Sequence, residues 1–324
     1  MSAQFRGRFA VAVAAVLFQT AALAQSTPSD ADLTAQLQRM ANAMRQGNYQ
    51  GALIYQHEGR LDSLKIFHAA GTPERERLLS LSGPTSEVVR SGGHLVCRLA
   101  GANSTLISFG AERSLLPLVP HLRSSDLGAS YKLVAVGEER VAGYQARVVD
   151  LQACDEFRYG YRLWLERDSG MLLRAALMGS NGQPLEQMMF VNVEIGAAPR
   201  AEDLSLSGEP ATPAKQEAAE VAVNGPVHWK FVDLPPSFRV ESRLTSPSGG
   251  DSEHLLLTDG VANVSVYVEP RVDDGVMGVS VGGRGALSVF SRDMDALRVV
   301  VLGNVPTRTA QRIAAALQPV TATK

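Results

Sequence analysis

Between residues 49 and 195 the chain keeps returning to a period of two, and this repeated strand signal restricts the fold more than any single motif. Tyr49, Gly51, Leu53 and Tyr55 alternate along one strand, His57-Glu58-Gly59-Arg60 turns, and Leu64, Ile66 and His68 alternate back, which predicts a hairpin. Further strands are predicted over 77–81, 86–90, 94–98, 131–136, 146–151, 159–166, 171–178 and 185–194. Turns such as Ser91-Gly92-Gly93, Asp168-Ser169-Gly170 and Ser180-Asn181-Gly182 separate them. A single antiparallel sheet of that size does not stay flat, so it is expected to curl toward a barrel. One helix precedes it, with Ser29 or Asp30 as cap, Leu33, Leu37, Met40 and Met44 on one face, and Gly47 as its stop.

The pattern breaks between Ala197 and Pro226, where Pro199, Pro210, Pro213 and Pro226 mix with Ala, Glu, Ser and Gly. Such a stretch buries too little apolar surface to offset the entropy of ordering. It reads as a linker over 200–225 between a domain at 25–199 and another at 226–324. Beyond it Val264, Val266 and Val268 alternate with polar residues, 286–290 and 298–302 add strands around Asp293-Met294-Asp295, and Pro306 opens a helix with the stripe Ala310, Ile313, Ala314 and Leu317. The second domain is therefore expected to be a small α+β unit, and the chain as a whole mostly β with some α.

The amino terminus carries an export signal. Arg6 and Arg8 precede the apolar run from Ala10 to Phe18, and Ala22-Leu23-Ala24 supplies small residues for cleavage after Ala24, so 1–24 is expected to be removed. Gln25 stands where a lipid-anchored precursor has Cys, which argues for a soluble mature protein. With 45% hydrophobic and 20% charged residues and a net charge of −2, the chain can bury a core but lacks the basic footprint of a nucleic-acid binder. Export exposes Cys97 and Cys154 to an oxidising compartment. A structural disulfide between them is expected, with a redox sensor or two unpaired thiols as the alternatives.

Catalytic constellations are missing from the sequence. It has no GxSxG elbow, HExxH, P-loop or GxGxxG. Ser82-Gly83-Pro84 fits a turn better than a nucleophile, and Asp273-Asp274 and Asp293-Met294-Asp295 fit solvated turns better than acid/base or calcium sites. His57, His68, His94, His121, His228 and His254 show no ligand spacing, so neither metal nor cofactor is expected. Binding surface remains. On the 159–166 strand Tyr159, Tyr161, Leu163 and Leu165 share one face and Gly160, Arg162 and Trp164 the other, while 171–178 and 185–195 are also apolar on both sides. Either both faces are packed core or one lines an apolar cavity.

Several phrases, in order, resemble the RseB/MucB family. They are Asn48-Tyr49-Gln50-Gly51-Ala52-Leu53-Ile54-Tyr55, Glu76-Arg77-Leu78-Leu79-Ser80-Leu81-Ser82-Gly83-Pro84, Glu87-Val88-Val89-Arg90, Arg158-Tyr159-Gly160-Tyr161-Arg162-Leu163-Trp164, Asp168-Ser169-Gly170 and Trp229-Lys230-Phe231-Val232-Asp233-Leu234-Pro235-Pro236-Ser237-Phe238. The resemblance implies an amino-terminal domain like the carriers LolA and LolB, an unclosed antiparallel β-barrel with covering helices, and a small carboxyl-terminal domain. It also implies a periplasmic negative regulator of the sigma-E envelope-stress response. Such a protein binds the periplasmic region of an RseA- or MucA-type anti-sigma factor, shields it from proteolysis, and is released by lipid or lipopolysaccharide. A homo-oligomer is compatible with it, and a periplasmic lipid or lipoprotein carrier is the alternative. Candidate residues for an acyl-chain cavity are Tyr159, Tyr161, Trp164 and Phe190. Trp229 and Phe231 either present an edge to the partner or form the first core strand of the second domain.

Overall fold

The computed structural model describes residues 29–92, 94–99, 105–108, 114–120, 122, 127–207, 215–216, 221–222, 228–245, 252–271 and 280–320. The expected signal peptide lies outside them. Helix α1 (Asp30–Gln46) begins with a capping box in which the Ser29 hydroxyl accepts from the Asp32 N–H and the Asp32 carboxylate accepts from the Ser29 N–H. Leu33, Leu37, Met40 and Met44 are its buried residues, as the spacing predicts. Gly47 stops the helix without a left-handed turn, since its φ is −87°. Close approach explains the glycine instead: a Cβ there would sit 2.5 Å from the Ala43 carbonyl oxygen.

Eleven strands follow in the first part of the chain: β1 (Tyr49–His57), β2 (Arg60–Ala69), β3 (Arg75–Ser80), β4 (Ser86–Ser91), β5 (His94–Leu99), β6 (Thr105–Ser108), β7 (Tyr131–Val141), β8 (Tyr144–Ala153), β9 (Gly160–Glu166), β10 (Leu172–Met178) and β11 (Pro184–Ile195). With the short β12 (Lys215–Gln216) they make a 12-stranded sheet in the order β12-β6-β5-β4-β3-β2-β1-β11-β10-β9-β8-β7. Among the described residues its two edges do not pair, so the sheet is unclosed. Among the described residues α1 is the α-helix packed on it, its apolar stripe sharing one core with Leu53, Leu163, Leu177, Met188 and Phe190. The stretch expected to begin the linker is docked rather than free. A 3-10 turn (Ala201–Leu204) buries Leu204 against Phe67 and Ala69, and Arg77 donates to the Asp203 carbonyl at 3.2 Å and the Ser207 hydroxyl at 2.7 Å.

The second sheet has the order β13-β15-β16-β17-β20-β19-β18, from β13 (Val221–Ala222), β15 (Arg239–Thr245), β16 (Glu253–Thr258), β17 (Asn263–Pro270), β18 (Ser280–Arg284), β19 (Leu287–Met294) and β20 (Leu297–Gly303). Helix α2 (Thr307–Ala316) covers it, with Pro306 at the N-cap rather than in the first turn. Ala310, Ile313 and Ala314 meet Leu257, Val264, Val266, Val299 and Val301 in a separate core. The short β14 (Trp229–Phe231) pairs with β21 (Leu317–Pro319). Among the described residues no helix is long and apolar enough to cross a membrane.

Candidate binding site at the junction of the two sheets

Two strand ends and one loop of the first sheet face the turns of the second. Arg158, just before β9, is the hub. Its Nη1 donates to Asp259 Oδ2 at 2.5 Å, its Nη2 to Asp155 Oδ2 at 2.9 Å and to the Pro236 carbonyl at 2.6 Å, and its guanidinium lies over the rings of Tyr131 and Phe238. Both side chains of the Arg158–Asp259 pair are 0% exposed. Burial opposes the Arg158 charge, but the hydrogen bond to Asp155 and the Asp259 carboxylate outweigh it and raise its pKa. The Tyr131 hydroxyl donates to Asp259 Oδ2 at 3.0 Å, and burial together with that carboxylate pushes it well above the ordinary tyrosine value. It therefore stays a donor.

Asp259 faces both ways, because its Oδ1 also accepts from the N–H groups of Val261 at 2.9 Å and Ala262 at 2.8 Å. That turn inserts Val261 into the core of the first sheet, where Ala286 also lodges. Glu186 of β11 makes a second attachment, accepting from the Tyr55 hydroxyl at 2.7 Å and from the Ala286 N–H at 3.1 Å. At the start of α2, Thr309 donates to the Phe157 carbonyl at 2.7 Å and Arg308 pairs with Glu156.

Beside this junction opens a cleft of about 890 Å³, lined by Arg158, Tyr159, Tyr161, Arg162 and Met178 on one side and by Pro306, Thr307 and Arg308 on the other. Its arginines are already matched: Arg162 donates to Asp150 at 2.6 and 2.8 Å, Arg158 to Asp155, and Arg308 to Glu156. The cleft is thus charge-balanced, with apolar surface from Leu151, Tyr159, Tyr161 and Met178 between its paired charges. A smaller cavity of about 250 Å³ lies on the other side of Tyr161, between Leu118 and Val119 and the residues Val261, Asn263 and Leu302. Among the described residues no His/Cys/Asp/Glu group could hold a metal.

The four residues considered for an acyl-chain cavity share one hydrophobic cluster, with Tyr161, Trp164 and Phe190 buried in it and Tyr159 packed against it, but they do not line one cavity. Tyr159 and Tyr161 border the cleft between the sheets. Phe190 shares the face of Leu163 and Met188 and is 1% exposed in the packed core. Trp164 points to the opposite face, where its indole N–H donates to Glu139 at 2.8 Å and Arg174 lies 4.1 Å over its ring. Trp229 and Phe231 pack against the second core from β14. The disulfide expected between Cys97 and Cys154 is not formed, for both thiols are free. Cys97 lies in β5 and Cys154 directly follows β8, with β4, β3, β2, β1, β11, β10 and β9 between those strands. Bridging requires Cα atoms within roughly 4.4–6.8 Å.

Other quoted phrases meet in space as well. Glu76 and Arg77 of β3 face Arg90 and Glu87 of β4 as two crossed, buried ion pairs, Arg90–Glu76 at 2.9 Å and Arg77–Glu87 at 2.6 Å. Arg158 of one phrase binds Pro236 and Phe238 of another. No local period announces such partners. The available signal was the presence of charged residues inside predicted strands.

Residues 32–214 match the MucB/RseB N-terminal domain and residues 223–318 the MucB/RseB C-terminal domain. The chain is 34% identical over 300 residues to the sigma factor AlgU regulatory protein MucB of Pseudomonas aeruginosa, spanning 89% of this chain and 92% of that protein. To the sigma-E factor regulatory protein RseB of Escherichia coli K12 it is 25% identical over 299 residues, 90% of this chain and 91% of that one. The structure of the Pseudomonas aeruginosa MucA/MucB complex superposes with a TM-score of 0.69 at 32% identity, covering 90% of this chain and 100% of that chain.

Proposed function

The chain belongs to the MucB/RseB family, and from that membership we propose a periplasmic negative regulator of a sigma-E type envelope-stress response. It binds the periplasmic region of a MucA- or RseA-type anti-sigma factor and shields it from regulated proteolysis. The observation that carries this reading is the match along both domains to MucB solved in complex with the periplasmic part of MucA. Binding, not catalysis, is the activity. The first 24 residues act as the export signal, and the boundary between the domains falls after Ser207, since Ser207 still donates to Glu87 at 3.0 Å on the first sheet.

Release by lipid or lipopolysaccharide completes the cycle. A ligand shifts such an equilibrium only by binding the two states differently, so an effective amphiphile must favour the partner-free arrangement. The cleft between the sheets, lined by residues of both domains, is the place where both contribute contacts to one occupant. The carrier reading has less support, because Phe190 and Met188 belong to a core already filled by α1. Purified components test the proposal: partner affinity and protease protection are measured with and without lipopolysaccharide fragments, with folding followed by circular dichroism. Absence of binding by folded protein overturns the regulator reading; binding indifferent to lipid removes the release step.

A further inference from the structure

We propose that the Arg158–Asp259 contact is a latch: it holds the two sheets in register and, when broken, lets them separate as folded units. Each half keeps its own core. Among the described residues the second core closes through Leu257, Val264, Val266, Val301 and Ile313 without help from the first sheet, and the first borrows only Val261 and Ala286. What joins them is mainly polar, and cavities of about 890 and 250 Å³ flank the contact. Small, polar contacts between domains permit relative motion, and breaking one side of a buried ion pair is strongly destabilising.

The two oxygens of Asp259 divide the work. Oδ1 holds the turn of the second sheet through Val261 and Ala262, while Oδ2 takes Arg158 and Tyr131. Losing Arg158 therefore leaves the turn intact, which separates a latch from a keystone. The position also suits control, because Arg158 lines the cleft and anything that draws its guanidinium away loosens the second sheet. The biological consequence rests on the proposed regulator function, but domain separation is read without any partner, so the two fail independently.

Asp259→Asn is the informative change. The variant keeps an oxygen for Val261 and Ala262 and turns N–H donors toward Arg158 and Tyr131, which are donors themselves. In a Cys97→Ser/Cys154→Ser chain, Val261→Cys places a reporter thiol at a position 3% exposed in the junction. Adding Asp259→Asn should raise its labelling rate by roughly a hundredfold, with circular dichroism unchanged. An unchanged rate, or a rise that appears only with loss of the folded signal, overturns the latch. If the reporter chain fails to fold, small-angle scattering of Asp259→Asn in the native chain decides: a larger radius of gyration supports separation, and an unchanged one refutes it.

Discussion

Replacing Arg90 by Met probes the crossed ion pairs of β3 and β4. Arg90 Nε and Nη2 donate to Glu76 Oε2 at 3.2 and 2.9 Å, and the Glu76 carboxylate is 0% exposed. Without the guanidinium, Glu76 keeps the Ser114 hydroxyl at 3.0 Å and the Leu115 N–H at 2.9 Å, two neutral donors for one buried charge. Breaking one side of a buried pair costs about 3–5 kcal/mol, a Tm loss of about 6–20 °C for a domain of this size. Adding Glu76→Leu removes the fully buried stranded charge; the partly exposed Glu74, which Arg90 also bonds, keeps His68 as a partner, and the Ser114 and Leu115 donors lose their acceptor. The double variant should therefore recover to within about 1–3 kcal/mol of the parent. Urea unfolding at neutral pH, followed by circular dichroism with a common m-value, yields the coupling energy. An Arg90→Met loss below about 1 kcal/mol, or a double variant equal to the sum of the singles, would refute the reasoning.

Glu166 is held by Ser169 and Asp168 in the turn after β9, with the Ser169 N–H and hydroxyl each at 2.6 Å. Burial pushes its carboxyl up, but these hydrogen bonds outweigh it and leave it below the ordinary 4.5. A lowered folded pKa means that the stabilisation is complete above the unfolded value and is lost as pH falls through the folded one. Glu166→Gln should thus cost about 1–3 kcal/mol at neutral pH, and the gap to the parent should close on acidification; a gap that widens contradicts it. Gly51→Ala would place a Cβ 2.3 Å from the Asn192 carbonyl and 3.2 Å from the Phe190 ring. A loss of about 1–3 kcal/mol in chemical denaturation is expected, and unchanged stability would show that β1 and β11 can part at no cost. Limited proteolysis should first cut after Ser207 rather than within 201–207, because Leu204 is buried and Ser207 is tied to Glu87; early cuts inside that stretch would show it undocked.

Local physics was legible in the sequence. The cap and apolar stripe of α1, the β1–β2 hairpin, Val264, Val266 and Val268 facing the second core, and the stripe of α2 all follow from spacing between near neighbours. Strands β15, β16 and β18 escaped notice, being short or interrupted by polar and glycine residues such as Gly282 and Gly283. The junction was hidden for a different reason. Arg158 and Asp259 sit in different domains, and nothing in the sequence around either announces the other. The aromatic residues near Arg158 drew attention to an apolar cavity, whereas Tyr159 and Tyr161 border a cleft rimmed by paired charges. Cys97 and Cys154 show the same gap between inventory and geometry. Two cysteines and an export signal favour a bridge, but only strand order reveals how far apart they stand.

The place of β1, between β2 and β11, has a consequence for how the protein is made. A chain leaves a ribosome or a translocation channel with its amino terminus first. Strands β1 to β5 then pair with neighbours that arrive immediately, each hairpin closing a short loop. The other edge of β1 must wait until Tyr49 meets Ile195, at the far end of the domain. During that interval Tyr49, Gly51 and Leu53 belong to an open border in what will become the middle of the sheet, where stray strands can add. Strand β11 is therefore the clasp of the first domain, and a chain arrested before Pro184 would remain a half-sheet seeking a partner.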